Sequence, residues 1–237
     1  MKLTILGNNG PYPASGGACS GYLLESENTR ILIECGTGVL ANLRAVLSPD
    51  KLDAVILSHL HYDHMSDILP MQYALQFCPP SEKLPVYAPD SPENVRALLD
   101  APCYAPVNID MKAVQIGDIT VRFLPVRHPV KSYAMRFECG GKVFVYTGDT
   151  NVVEILPFLC KDADLLLADA GLSMEHWKME APHLSAYHCA LLAKNAMAKR
   201  LLLTHLNPRY TAEQLCGEAK PEFEHTSFAV VGESYEI

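Results

Sequence analysis

Ser58-His59-Leu60-His61-Tyr62-Asp63-His64 places three histidines and an aspartate within six consecutive positions, directly after the apolar run Ala54-Val55-Ile56-Leu57. Imidazole nitrogens and carboxylate oxygens are the ligands a borderline divalent cation prefers. On the end of a strand, side chains alternate with a period of two, so His59 and His61 are expected to point to one side. Asp63 and His64 follow where the chain must turn and can aim at a second point nearby. One short segment can therefore serve two metals, the arrangement that clamps attacking and leaving oxygens in hydrolysis. Packing alone explains such a cluster poorly, because a core would have to satisfy every ring nitrogen. The interior position also excludes a histidine tag.

Working outward, residues 54–58 read as the strand that delivers these groups. Before it, residues 2–6 form a short apolar strand, and the run from Gly7 to Gly17 is a glycine- and proline-rich loop, either a rim over a site or a plain connection. Lacking a Gly-Lys-Ser/Thr ending, it is not a phosphate-cradling loop. Residues 22–25 and 30–34 read as a hairpin, followed by helical spacing from Val39 to Leu47. After His64, a helix is expected from Ser66 with Pro70 in its first turn, Met71, Leu75 and Phe77 facing the core. Residues 86–88 read as a strand, Ser91-Pro92-Glu93 as a helix start, and 101–111 as irregular. Strands are expected at 119–124, 133–138 and 142–147, with Gly140-Gly141 turning the last pair.

The continuous apolar runs Leu165-Leu166-Leu167-Ala168 and Leu201-Leu202-Leu203 suit strands covered on both faces. Between them Ser185 caps a helix with Ala186, Cys189, Ala190, Ala193 and Met197 on one stripe. Thr211 and Gln214 have the spacing of a helix cap. Strands then helices, twice, in 237 residues without a linker or repeat fit one α/β domain spanning 1–237, with two mixed sheets face to face and helices outside.

Three more ligand types sit where a strand opens into a loop: His128 after Leu124, Asp149 after Val143-Phe144-Val145, and His205 after the last apolar run. Each alone is an ordinary strand-end residue. Together they complete a count. His59, His61 and His128 would hold one metal, Asp63, His64 and His205 the other, and Asp149 would bridge them through its two oxygens. A water shared between two such cations, its pKa lowered toward neutrality, would become the nucleophilic hydroxide, with Asp63 orienting it.

His-x-His-x-Asp-His, a later His, Gly148-Asp149-Thr150 and Thr204-His205 together resemble the metallo-β-lactamase superfamily. Ala181-Pro182-His183-Leu184-Ser185 and the stretch Leu202 to Tyr210 resemble, within it, the short form of ribonuclease Z. The resemblance implies a four-layer αββα sandwich and a two-metal hydrolase, usually zinc, sometimes manganese or iron. It also implies that His183 faces a scissile phosphate, where it would stabilise phosphoryl oxygens or protonate the leaving alkoxide. Two departures stand out. The family has Asp where this chain has Glu34. Only 20 residues separate His128 from Asp149, where transfer-RNA-processing relatives insert a long glycine-rich arm.

The net charge of −8, with an isoelectric point near 5.6, argues against broad nucleic-acid binding. The expected activity is therefore a phosphodiesterase of cyclic nucleotides or short RNA. A ribonuclease Z-type transfer-RNA 3′ endonuclease and a lactone, thioester or β-lactam hydrolase are the alternatives. A non-catalytic, metal-stabilised binding module fits less well, since structural zinc sites are closed and usually rich in cysteine. The eight cysteines form no C-x-x-C pair, no run of eighteen apolar residues occurs and no secretory signal is visible, so a cytoplasmic protein with reduced thiols and no membrane span is expected. A homodimer is implied by analogy alone. His176, next to Trp177, is placed near the cleft, and His188 on the exposed side of its helix.

Overall fold

The computed structural model describes residues 1–237. In chain order its elements are β1 (Lys2–Gly7), β2 (Gly21–Glu25), β3 (Arg30–Ile33), α1 (Val39–Val46), β4 (Ala54–Ile56), α2 (Tyr62–Met65), α3 (Ile68–Phe77), β5 (Leu84–Ala88), α4 (Glu93–Arg96), β6 (Tyr104–Asn108) and β7 (Val114–Ile116). They continue with β8 (Ile119–Pro125), β9 (Tyr133–Cys139), β10 (Lys142–Tyr146), α5 (Leu156–Leu159), β11 (Leu165–Asp169), α6 (Ala186–Asn195), β12 (Leu201–Thr204), α7 (Ala212–Ala219), β13 (Thr226–Phe228) and β14 (Ser234–Glu236).

The strands form two seven-stranded sheets, β14-β1-β2-β3-β4-β5-β6 and β13-β12-β11-β10-β9-β8-β7. Each starts with antiparallel pairs and ends with parallel ones: β3 to β6 run parallel in the first, β10 to β13 in the second. β14 crosses back to pair with β1, so the end of the chain closes the first sheet.

Side-chain parity builds the layers. Leu165 and Leu167 of β11 point into the core between the sheets, and Leu166 and Ala168 pack under α6 and α7. Ile31 and Ile33 of β3 face the same central core, while Leu32 packs with α1 and α3 on the other side. A period of two thus sends one continuous apolar run into two cores, each buried leucine contributing roughly 1.5–3 kcal/mol. The outcome is the expected αββα sandwich, with three apolar layers. No helix is long and apolar enough to cross a membrane.

Helix ends follow the sequence chemistry: the Ser185 hydroxyl accepts from the His188 amide, and Thr211 Oγ1 from the Gln214 amide. Four expectations fail. Residues 101–111 contain β6, an edge strand whose Pro106 disguises it; an edge tolerates proline because one face of its ladder is unpaired. Phe77 closes α3 with its ring 87% exposed, since the stripe carrying Met71 and Leu75 ends before it. Met197 lies beyond the end of α6, with a left-handed φ of 55° and an exposed side chain. Strand β4 stops at Ile56, so His59 and His61 sit in a loop rather than on its end.

Candidate metal centre

The loop after β4 is held between the sheets. Glu34 accepts from the Ser58 amide, and Ser58 O accepts from the Tyr133 amide at 3.1 Å, tying the loop to the opposite sheet. Asp63 and His64 lie on the single turn α2, which packs on the end of β3: the Cys35 amide donates to His64 O at 2.7 Å. Gly36 permits that approach, since a Cβ there would lie 1.9 Å from Asp63 O.

Side chains from four separated parts of the chain then converge. His61 Nδ1 lies 3.0 Å from His59 Nε2 and 3.1 Å from His128 Nε2. Beside this trio, Asp63 Oδ2 lies 3.5 Å from His64 Nε2 and 3.2 Å from His205 Nε2. Asp149 Oδ2 touches both groups, 3.8 Å from His59 Nε2, 3.3 Å from His64 Nε2 and 3.2 Å from His205 Nε2. The seven residues expected from the sequence to ligate metal are therefore brought together in the two sets expected, with Asp149 between them.

The far nitrogen of each of four histidines faces a partner. Ser58 Oγ lies 3.0 Å from His59 Nδ1, Pro182 O 3.1 Å from His128 Nδ1, Glu34 Oε1 3.5 Å from His64 Nδ1 and Asp169 Oδ1 3.5 Å from His205 Nδ1. The contacts at 3.0 and 3.1 Å fix ring orientation and tautomer for His59 and His128 and leave their converging nitrogens as lone pairs, whereas the carboxylates 3.5 Å from His64 and His205 place negative charge beside the ring without a hydrogen bond. Glu34, the departure from the family pattern, is fully buried with φ 60° and its carboxylate placed against His64. His205 also holds a left-handed φ, 55°. Two non-glycine residues in that sparsely populated region, both at one centre, are characteristic of functional sites.

Electrostatics follow from burial and charge. Burial pushes His59 well below its ordinary pKa and also lowers His61 and His128, leaving neutral imidazoles. Burial opposes charge on His64 as well, but Asp149, Asp63 and Glu34 surround it and push it well above the ordinary value. Asp149, although fully buried, is held well below the carboxylate range by His205 and His64. His64 Nε2 and Asp149 Oδ1 are both buried with no hydrogen-bond partner in the chain. Leaving such groups unmet costs about 1–3 kcal/mol each. Converging carboxylates, neutral imidazoles and unpartnered buried atoms fit a pocket for divalent cations.

His183 completes the centre from the segment between β11 and α6. Its ring stacks on His205 at 4.8 Å, and its Nδ1 lies 2.9 Å from Asp169 Oδ2 and 3.8 Å from Asp149 Oδ2. Burial lowers its pKa, but Asp169 outweighs that and raises it to about 9. Asp169 was missed in the sequence. It ends β11 as the residue after Leu165-Leu166-Leu167-Ala168, so the rule that singled out His128, Asp149 and His205 would have found it. Fully buried, it also accepts from the amides of Gly171 (2.9 Å) and Thr150 (3.1 Å). The remaining histidines stay outside. His176 bonds Ser173 and lies by Tyr210. His188 is half-buried rather than exposed, its ring 4.0 Å from that of Trp177. His225 lies beside Phe223.

A family model described as "Beta-lactamase superfamily domain" matches residues 29–206. The chain is 37% identical to "Probable metallo-hydrolase YhfI" of Bacillus subtilis, over 94% of each chain. The crystal structure of that metallo-beta-lactamase fold protein superposes with a TM-score of 0.94, at 34% identity and 99% coverage of both chains. A ribonuclease Z of Methanosarcina acetivorans is 26% identical, covering 97% of this chain and 95% of that one.

Proposed function

The chain belongs to the beta-lactamase superfamily and is a metal-dependent hydrolase, and on that premise we propose a two-metal phosphodiesterase acting on cyclic nucleotides or short RNA. Its ligands are His59, His61 and His128 for one divalent cation, and Asp63, His64 and His205 for the other, with Asp149 shared. Zinc is proposed for both, manganese and iron being the substitutes such a donor set accepts. Bound there, the cations supply Lewis acidity toward a phosphoryl oxygen and activate a water.

The observation that carries this reading is His183. Asp169 fixes Nδ1 as the donor at 2.9 Å, and Nε2 makes no hydrogen bond within the chain. An imidazolium held beside the two donor sets suits an anionic, tetrahedral centre. Nε2 can donate to a phosphoryl oxygen and then protonate the departing alkoxide, while Asp169 keeps the ring oriented. Asp63, whose carboxyl is held well below the usual range by His64 and His205 although burial opposes it, stays ionised and orients the attacking water.

Transfer-RNA processing is less favoured. β9 and β10 are joined directly at Gly140-Gly141, leaving no arm, and the ribonuclease Z relative aligns over 291 positions against this chain's 237 residues, so it carries segments absent here. The test is metal-loaded protein, with zinc and with manganese, against bis(p-nitrophenyl) phosphate, cyclic nucleotides, short RNA, precursor transfer RNA and a lactone panel. Turnover of small phosphodiesters is expected. Metal-replete protein that cleaves only lactones, or only precursor transfer RNA, would overturn the assignment.

A further inference from the structure

The residue two places after Asp149 makes an unusual set of bonds. Asn151 is fully buried. Its two Nδ2 hydrogens are shared among the carbonyl oxygens of Lys178 (3.1 Å), Met179 (3.2 Å) and Ala181 (2.6 Å). Its Oδ1 accepts from Trp177 Nε1 at 3.0 Å and from the Val152 amide at 2.7 Å. The amide's orientation is forced: indole and backbone N–H groups only donate and carbonyls only accept, so a flipped side chain would lose every bond. No other side chain supplies both functions here. Aspartate has no donor, serine is too short, and glutamine is one methylene too long for a filled site.

The three carbonyls and the indole lie on the strap between β11 and α6 that delivers His183, and Pro182 O of the same strap faces His128 Nδ1 at 3.1 Å. The Asn151 backbone amide donates to Arg127 O at 3.0 Å, and Thr150 Oγ1 accepts from the Arg127 amide at 3.3 Å, so the segment after Asp149 also grips the loop carrying His128. Three separate stretches of chain meet around Asn151, the strap at its carboxamide and the His128 loop at its backbone and at Thr150.

We propose that Asn151 is a second positioning residue of this centre: it staples the 177–181 strap to the Asp149 segment and so sets where the backbone carrying His183 stands relative to Asp149, while Asp169 orients the ring. It acts through His183 and touches no substrate. Apart from the His128–Pro182 and His183–Asp169 contacts, the strap is tied to the body by the Met174 amide to Glu218, and its two ends are joined to each other by the Leu172–Ser185 bridge. Without the carboxamide its middle is free to shift, and a displacement of about 1 Å at a reacting group costs up to roughly 100-fold in rate.

The inference rests on the role proposed for His183, and the experiment separates the two. Asn151→Ala and Asn151→Asp are compared with the unsubstituted enzyme at equal metal content, with His183→Ala and the Asn151→Ala/His183→Ala pair alongside. Expected is a fall in kcat of roughly 10- to 100-fold with KM within about twofold, and no further loss when Asn151→Ala is added to His183→Ala. Amide hydrogen exchange should speed up for residues 177–183 and stay unchanged in β9 and β10. Should either variant fail to fold, Trp177→Phe, which removes the indole donor and trims the ring that lies on His188, gives a milder version of the same test. Unchanged strap exchange, or a loss that adds fully to that of His183→Ala, would overturn the proposal. An unsubstituted enzyme inactive on phosphodiesters would refute the assigned activity and leave the exchange measurement to judge Asn151.

Discussion

Replacing Gly10 by alanine adds one methyl group where the loop after β1 lies on the face of a candidate ligand. The new Cβ would sit 2.0 Å from His205 Nε2 and 2.2 Å from the two ring carbons beside it. Ordinary contact begins near 3.4 Å, so either ring or loop must retreat by about 1.4 Å. The loop is poorly placed to yield. The Gly10 amide donates to Leu206 O, Leu206 N donates to Asn8 O at 2.7 Å, and Asn8 Nδ2 reaches Ala229 O at 2.7 Å. The ring has as little room, being 1% exposed with Nε2 set 3.2 Å from both Asp63 and Asp149. Overpacking of this kind costs about 1–3 kcal/mol, which for a chain of this size lowers Tm by about 2–12 °C. The larger effect is on the metal. Ligand distances tolerate only about ±0.2 Å, so the Asp63–His64–His205 set should lose at least the roughly 100-fold in affinity that a disturbed supporting group can cost. Elemental analysis after dialysis should read two ions per chain for the unsubstituted protein and one for Gly10→Ala, with turnover lost in parallel. A variant that keeps two ions, native affinity and native turnover would refute the placement of this loop against His205.

His183→Ala should cut phosphodiester turnover by about 10²–10⁴-fold while changing lactone turnover far less, measured at equal metal content; equal losses on both would speak against a phosphate-directed histidine. Glu34→Gln should weaken metal binding by about 10- to 100-fold in a titration followed by calorimetry, because it removes the charge 3.5 Å from His64 Nδ1. Chelation should abolish turnover while circular dichroism retains the sandwich, since the three apolar layers hold the sheets without the centre; collapse of the fold would instead point to a structural metal. Asp164 offers a pH test away from the site. Burial works to raise its pKa, but Lys199 at 2.7 Å, the Val143 amide at 2.9 Å and Lys142 outweigh it and hold it low. The resulting stability is complete above the unfolded value near 3.9 and disappears as pH falls through the lower native value. Asp164→Asn should therefore cost roughly 1 kcal/mol near neutrality and nothing at the acid end, in denaturant titrations at a series of pH values.

Much of the centre was legible because its signals are local. A ligand type directly after a buried strand needs only the strand's apolar run to be recognised, and this identified His128, Asp149 and His205 before any geometry was known. The same rule reaches Asp169 at the end of β11, although a leucine run closing on Ala-Asp reads as a covered strand with an ordinary end. Glu34 was harder. One residue past β3, it reveals its role only through a left-handed turn that swings the carboxylate under His64. Asn151 and Gly10 carry no pattern of their own. One is an amide in a loop, the other a glycine among turn residues, and the partners of each lie in distant parts of the chain.

Taken alone, the amino-acid order determined the composition of the candidate ligand set, the parity that sends Leu165 and Leu167 one way and Leu166 and Ala168 the other, and hence the sandwich. These depend on repeat distances of a few residues and on the chemistry of single side chains. Only the folded structure decided which nitrogen of each histidine turns inward, that Asp63 and His205, 142 residues apart, come within 3.2 Å, and that Asn151 braces the strap bearing His183. Those are long-range distances, set by how two sheets and their connecting loops pack, and no periodicity along the chain encodes them.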